Sequence, residues 1–203
     1  EEAEEELLTL AQDACPGDEV AQCNWATAEI LRRMVGGKYA QLYKDCWYDS
    51  GLTGGCRQLS INSRDEALCS ALELQAEFDT YPWLVKCTSV EDIRRCKAEG
   101  LKAGIVTSQE AIGYSKDLGL LELLYRFGLR VQQLSYNNQN LIGAGCMEPN
   151  GGAGLSVFGQ KFVAKCNELG IVVDTGHCGY NTTMDACKYS KAPVIATHTG
   201  VEK

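Results

Sequence analysis

Two short apolar segments, each ending in a histidine, constrain the fold of this chain more than any other feature. The segments are residues 171–177 and 193–198, and His177 and His198 are the only histidines in the sequence. A polar stretch that suits a helix, residues 181–191, separates them. A strand, a helix and a strand at this spacing predict a βαβ unit. Both strands are then parallel, and both imidazoles lie at the carboxyl-terminal edge of the sheet.

The position of the two imidazoles leaves two interpretations open. Parallel α/β folds keep their chemistry at the carboxyl-terminal edge of the strands. Adjacent strands lie about 4.8 Å apart, so His177 and His198 would be able to reach one metal ion. In the alternative interpretation, each histidine ends its strand and makes only a local hydrogen bond.

Segments with strand and helix patterns alternate from about Gly51 to the end of the chain. Residues 88–91 read as a capping box, Ser156 as an N-cap, and Gly100 and Gly170 as helix ends. The predicted strands upstream of the histidine segments are residues 52–61, 83–87, 103–108 and 129–135, and the predicted helices are residues 64–78, 88–100, 118–127 and 156–169. We therefore predict an α/β fold, a partial TIM-barrel-like repeat of about five or six parallel strands covered by helices.

Cysteines are frequent in the first quarter of the chain. Residues 1–48 form a predicted helical, cysteine-containing segment, and residues 49–203 form the predicted barrel-like domain. The sequence holds 11 cysteines, an odd number, so at least one is unpaired or bonds another chain. The best disulfide candidates are Cys15 with Cys23 and Cys46 with Cys56, although spacing alone proves neither pair.

Composition argues against two classes of partner. The formal net charge of -8 disfavours a nucleic-acid surface, because phosphate binding needs clustered lysines and arginines. No apolar run approaches the roughly 18 residues that a membrane span requires, so we expect no transmembrane segment. The first residue is Glu1, not methionine, and we expect a processed mature chain from an organelle or the secretory route, or a fragment.

Several motifs in the second half of the chain occur in the order typical of one protein family. They are residues 133–146 (QLSYNNQNLIGAGC), 154–156 (GLS), 167–174 (NELGIVVD), 177–179 (HCG) and 192–198 (APVIATH). With this pattern the sequence resembles the membrane (renal) dipeptidase family over roughly residues 49–203. The resemblance implies a zinc-dependent hydrolase of dipeptides on a TIM-like metal-hydrolase barrel.

The resemblance also implies roles for five residues. His177 and His198 fall on the family's two histidine ligands of the second metal. Gln109 falls where the family usually has a glutamate that bridges both metals, although the following residue is a glutamate and a small shift would supply it. Tyr136 stands where kidney-type members have a histidine that polarises the scissile carbonyl, which makes it a candidate oxyanion donor. Asn137 is, with Tyr136, a candidate for substrate binding.

Departures from the family pattern predict a loss of activity. The family's His-x-Asp pair for the first metal is absent, because both histidines are already assigned. The family's last strands bring an arginine and an aspartate, yet only five residues follow His198. An eight-unit barrel takes about 250 residues, whereas only about 155 here are barrel-like. One zinc on two histidines is the most we expect, below the usual three protein ligands of a catalytic site.

We therefore expect a catalytically degenerate dipeptidase-like subunit that holds no stoichiometric zinc and serves as a scaffold in a larger assembly. In this interpretation, other protein subunits cover the open edges of the sheet, and a second copy of the chain or the helical residues 1–48 are the other candidates. The alternative is a zinc-dependent dipeptidase, present as a fragment or completed in trans. It predicts zinc at His177 and His198, and dipeptide turnover in the whole complex.

Overall fold

The computed structural model of the chain describes residues 38–111 and 114–198. The chain forms two compact units, Glu1–Leu52 and Thr53–Lys203. In the first unit the described part centres on α1 (Lys38–Asp49). The predicted boundary after residue 48 remains a prediction.

The cysteine pairs predicted from the sequence have different outcomes. Cys15 and Cys23 lie outside the described residues. Cys46 and Cys56 are exposed and are not bonded to each other in the structure, and their pairing remains a prediction.

Strands and helices alternate along the second unit, as expected of an α/β fold. Its elements are β1 (Gly54–Gln58), α2 (Arg64–Thr80), β2 (Leu84–Cys87), α3 (Val90–Glu99), β3 (Lys102–Ser108), α4 (Leu118–Phe127), β4 (Val131–Gln133), a 3-10 turn (Pro149–Gly151), α5 (Val157–Leu169), β5 (Val172–Asp174), α6 (Tyr180–Tyr189) and β6 (Val194–Ile195). No helix within the described segments is both long and apolar enough to cross a bilayer.

The six strands of the described residues form one sheet in which every pair of neighbouring strands is parallel. The order is β1-β3-β4-β5-β6, and β2 pairs with β3. The unit β5-α6-β6 pairs Val173 with Val194 and Asp174 with Ile195. The α/β prediction with five or six parallel strands is confirmed. Within the described residues, β1 and β6 are the two ends of the strand path.

Polar caps set the helix boundaries and correct one prediction. The capping box of α3 is formed by Ser89 and Asp92, one residue later than the sequence pattern predicted. The shift occurs because the Asp92 carboxylate accepts from the backbone N–H groups of both Thr88 and Ser89, at 3.1 Å each. Helix α3 ends at Gly100 and α5 at Gly170, each in the left-handed conformation that glycine adopts most easily.

The core lies between the sheet and the helices that cover it. Helix α4 contributes a buried leucine face, and α5 contributes Phe162 and Val163. The Phe162 ring meets the fully buried Tyr114 edge-on, with ring centroids 4.8 Å apart. A Cβ at position 104 of β3 would lie 2.5 Å from Cε1 of Phe78 on α2, so a larger residue there would force the Phe78 ring to move. Close packing therefore holds α2 against β3, the strand that pairs with β1, β2 and β4.

The last three strands, β4, β5 and β6, end before the apolar runs that predicted them. β4 ends at Gln133 and β5 at Asp174, although their predicted ends were residues 135 and 177. β6 contains only Val194 and Ile195. In each case the chain leaves the ladder before its last polar residues. These residues then form loops at the carboxyl-terminal edge of the sheet.

Candidate functional site

The residues predicted to form a site all follow the carboxyl-terminal ends of strands. Gln109 comes directly after β3, and Tyr136, His177 and His198 come three residues after β4, β5 and β6. Because the strands are parallel, these positions share one edge of the sheet. The two imidazole rings lie side by side, with centroids 4.8 Å apart and planes at 66°.

A chain of hydrogen bonds defines the tautomer of His198. The buried Asp174 carboxylate can only accept, so the Thr197 hydroxyl donates its single proton to Oδ2 of Asp174, at 2.6 Å. The same hydroxyl must then accept from Nδ1 of His198, at 2.8 Å. In the neutral ring the lone pair is left on Nε2 of His198. That atom lies 3.0 Å from Nε2 of Gln109.

Gln109 therefore presents an amide N–H to the atom of His198 that would bind a metal. An amide nitrogen is a donor and has no lone pair for a metal ion, whereas a carboxylate at this position would be a ligand. Glu110 does not take its place. The Glu110 carboxylate accepts from the N–H of Ala111 at 2.7 Å and from the Asn140 amide at 3.2 Å.

His177 is held in one orientation by contacts on three sides. Its Nδ1 donates to Oδ1 of Asn137 at 2.9 Å, which leaves the lone pair of the neutral ring on Nε2. The Tyr136 ring stacks on the imidazole at 4.0 Å between centroids. The backbone of His177 has φ of 57°, rare outside glycine, and its carbonyl accepts from the N–H of Cys146 at 2.7 Å.

The protonation state of His177 follows from its surroundings. Burial lowers the pKa of His177 from its ordinary value of 6.5, and the neighbouring His198 lowers it further. The Asp174 carboxylate opposes this shift but does not reverse it. A neutral imidazole is therefore favoured at neutral pH, in agreement with its role as donor to Asn137 through Nδ1.

One buried acceptor near the two histidines lacks a partner. The Gln133 amide N–H groups donate to the carbonyl of Gln109 at 2.6 Å and to that of Ser135 at 2.9 Å. Its Oε1 has no hydrogen-bond partner in the described part of the chain. A Cβ at Gly176 would lie 3.0 Å from this oxygen and 3.1 Å from Cε1 of His198. Glycine at 176 therefore leaves room for Gln133 of β4 and for His198, which follows β6.

The described residues do not fit a zinc ion with three protein ligands. Nowhere in residues 38–111 and 114–198 do three or more histidine, cysteine, aspartate or glutamate side chains form a group able to hold a metal. His177 and His198 offer two nitrogen ligands. The Asp174 carboxylate already accepts hydrogen bonds from the Thr197 hydroxyl and, at 2.9 Å, from the N–H of Gly176.

The structure thus brings together all five residues predicted for the site. Their roles toward a metal or substrate remain predictions. Sequence reasoning did not single out Asp174, Thr197 or Gln133. Two sequence features would have pointed to these residues. Asp174 and Gln133 are polar residues at the ends of apolar runs, and Thr197 is a polar residue directly before a histidine.

Comparisons with known proteins identify the family to which the chain is similar. The family model for membrane dipeptidase, peptidase family M19, matches residues 7–203. An uncharacterized protein in the PQQ-III 3' region of Acinetobacter calcoaceticus is 29% identical over 141 residues, or 66% of this chain and 45% of that protein. The chain therefore spans less than half the length of that relative.

Solved structures show the same fold. An amidohydrolase from Pseudomonas aeruginosa has a TM-score of 0.72 at 29% identity, covering 76% of this chain and 47% of that one. Dipeptidase AC, a metallo peptidase of family M19, has a TM-score of 0.73 at 25% identity, covering 95% and 60%. Since the family model matches nearly all of its residues, this chain belongs to the membrane dipeptidase family, peptidase family M19.

Proposed function

We propose that this chain is a catalytically degenerate member of the dipeptidase family and acts as a structural subunit of a larger assembly. One observation carries the proposal. The amide nitrogen of Gln109 lies 3.0 Å from Nε2 of His198 and donates to it. The lone pair that accepts this hydrogen bond is the one that a metal ion would need. A neutral amide thus stands where the family resemblance implies a bridging carboxylate.

The chemistry of metal hydrolases explains why this exchange matters. Two metal ions activate a bridging water and clamp the carbonyl oxygen of the substrate. Two cations held close together need anionic ligands between them to offset their repulsion. Gln109 supplies no charge, and turning its carbonyl oxygen toward a metal would first break the hydrogen bond to His198.

The sheet supports the structural part of the proposal. Parallel sheets are normally covered on both faces, and unpaired strand edges invite pairing with another chain. In the described residues, β1 and β6 end the strand path, and Ile195 of β6 is exposed. We expect a partner subunit to cover these two strands in the native assembly.

Metal binding tests the proposal directly. The wild-type protein, in its native complex, should contain no stoichiometric zinc by elemental analysis and should not hydrolyse dipeptides. The variant Gln109→Glu should bind zinc more than about tenfold more tightly in calorimetric titrations, because even residues that only orient a metal ligand change affinity by about 10–100-fold.

A matched control separates a ligand effect from a charge effect. Gln160 lies on α5 and is not among the residues that form the site, so Gln160→Glu adds the same charge without adding a ligand. It should leave zinc affinity unchanged. The proposal fails if wild-type material carries about one or more zinc ions per chain and turns over dipeptides.

A second candidate is a zinc-dependent dipeptidase whose remaining ligands come from outside the described residues. The observation that favours it is the pair of adjacent imidazoles, each with a lone pair on Nε2. It predicts that His177→Ala and His198→Ala each remove both zinc and dipeptide hydrolysis from the native complex. If the wild-type complex contains no zinc and does not hydrolyse dipeptides, this candidate is rejected.

A further inference from the structure

Two cysteines outside the site face each other in a buried contact. Cys87 is the last residue of β2, and Cys96 lies on α3, the helix that follows. Their Sγ atoms are 3.7 Å apart, and the two residues are only 2% and 0% exposed. The sequence pattern did not indicate this pair.

The surroundings hold both side chains in place. Cys87, Cys96 and Ala103 of β3 form one apolar cluster, packed against Val85, Ile93 and Leu101. The capping box at Ser89 and Asp92 anchors the first turn of α3 immediately after β2. Only two residues separate the strand from the helix, so the turn is short. Cys96 lies on the face of α3 that packs against β2.

We propose that Cys87 and Cys96 form a disulfide bond that fastens α3 to the edge of the sheet. A disulfide has an S–S distance of about 2.05 Å, so the sulfurs need to approach by about 1.7 Å. Rotation of the two side chains and a slight movement of α3 supply this approach. The bond would replace a contact that the two sulfurs already make. The proposal does not depend on the function proposed for the candidate site.

The reaction requires an oxidant, and a small-molecule disulfide such as oxidised glutathione supplies it. One cysteine thiolate attacks a sulfur of this disulfide, forms a mixed disulfide and releases one small thiol. The second cysteine thiolate attacks the protein sulfur of the mixed disulfide and releases the second small thiol. The two cysteines are oxidised to cystine, and the small disulfide is reduced to two thiols that carry the protons.

Burial determines when the bond can form. Desolvation, together with the hydrogen bond to Cys96, raises the pKa of Cys87 to about 12. Since the thiolate is the reactive species, the docked pair reacts slowly with oxidants and reductants at neutral pH. We therefore expect the bond to form in an oxidising environment while the two thiols are still accessible, before α3 docks, and to persist afterwards as a structural cystine.

Peptide mapping of the unreduced protein tests the proposal. Trypsin cleaves after residues 86, 94, 95 and 97, so Cys87 falls in peptide 87–94 and Cys96 in peptide 96–97. Only a disulfide can keep these two peptides together. We expect protein refolded with reduced and oxidised glutathione, alkylated in denaturant and digested, to yield the linked species, and reductant to split it.

Two variants define the controls. Cys69→Ser replaces an exposed cysteine of α2 and should leave the linked peptides unchanged. Cys96→Ala should abolish them and leave Cys87 open to alkylation in denaturant without reductant. The proposal is overturned if wild-type Cys87 and Cys96 are both alkylated without reductant, or if either is linked to a different cysteine.

Discussion

Reduction of the Cys87–Cys96 bond should lower the stability of this protein by a calculable amount. The two cysteines are nine positions apart, so the bond closes a loop of about ten residues. The chain-entropy relation gives about 9 cal/mol/K for a loop of this size, or about 2.7 kcal/mol at 25 °C. For a chain of 203 residues, this corresponds to a drop in Tm of roughly 5–11 °C.

Urea and thermal unfolding, with and without a phosphine reductant, measure this difference. The native contact between the two sulfurs is already close, so we expect little strain to offset the entropic gain. A Cys87→Ala/Cys96→Ala variant controls for reduction elsewhere, and its stability should be the same with and without reductant. Equal stability of oxidised and reduced wild-type protein, after mapping has shown the bond to be present, would refute the loop-entropy reasoning.

Further predictions concern the candidate site. Removing metal with a chelator should leave the wild-type Tm unchanged, whereas a fall that zinc restores would contradict the proposed degeneracy. Because the pKa of His177 is lowered, the unfolded chain binds its proton more readily, so the free energy of unfolding should fall as the pH drops below about 6.5. His177→Gln should flatten this dependence in urea titrations at several pH values. Gly176→Ala should cost about 1–3 kcal/mol in urea unfolding, because the added methyl crowds Gln133 and His198. Thr197→Val should lower the free energy of unfolding by about 0.5–1.5 kcal/mol, because it removes the hydroxyl that joins His198 to Asp174 at the end of β5. Thr197→Ser keeps the hydroxyl and should retain most of this stability.

The sequence was sufficient to predict the βαβ unit and the shared edge of its histidines. Two apolar runs of strand length that flank a polar helical stretch can be connected in only a few topologies. The right-handedness of crossovers between parallel strands excludes most of these topologies. Helix ends were also accessible, because serine, aspartate and glycine act locally on the backbone. The α3 cap moved by one residue because Thr88, Ser89 and Asp92 allow two overlapping registers of the same motif.

Other features depend on contacts that no local pattern encodes. Thr197 reaches Asp174 across 23 positions, and Gln109 reaches His198 across 89. Only the folded sheet brings these groups together. Similarly, Cys87 ends β2, and Cys96 lies just under two turns into α3. Their contact depends on which face of α3 packs on the sheet, and that face is the one that carries Ile93 and Cys96.

If the chain holds no metal, as we propose, the hydrogen bonds at the candidate site would keep the shape of the centre without one. A metal ion joins strand ends by binding one ligand from each. Here Gln109 after β3 donates to His198 after β6, and through Thr197 the network continues to Asp174 at the end of β5. Three strand ends are therefore tied together by neutral donors and one buried carboxylate. Under this proposal, glutamine at position 109 is compatible with the fold because its amide bonds to the imidazole, whereas a carboxylate at the same position would bind a metal.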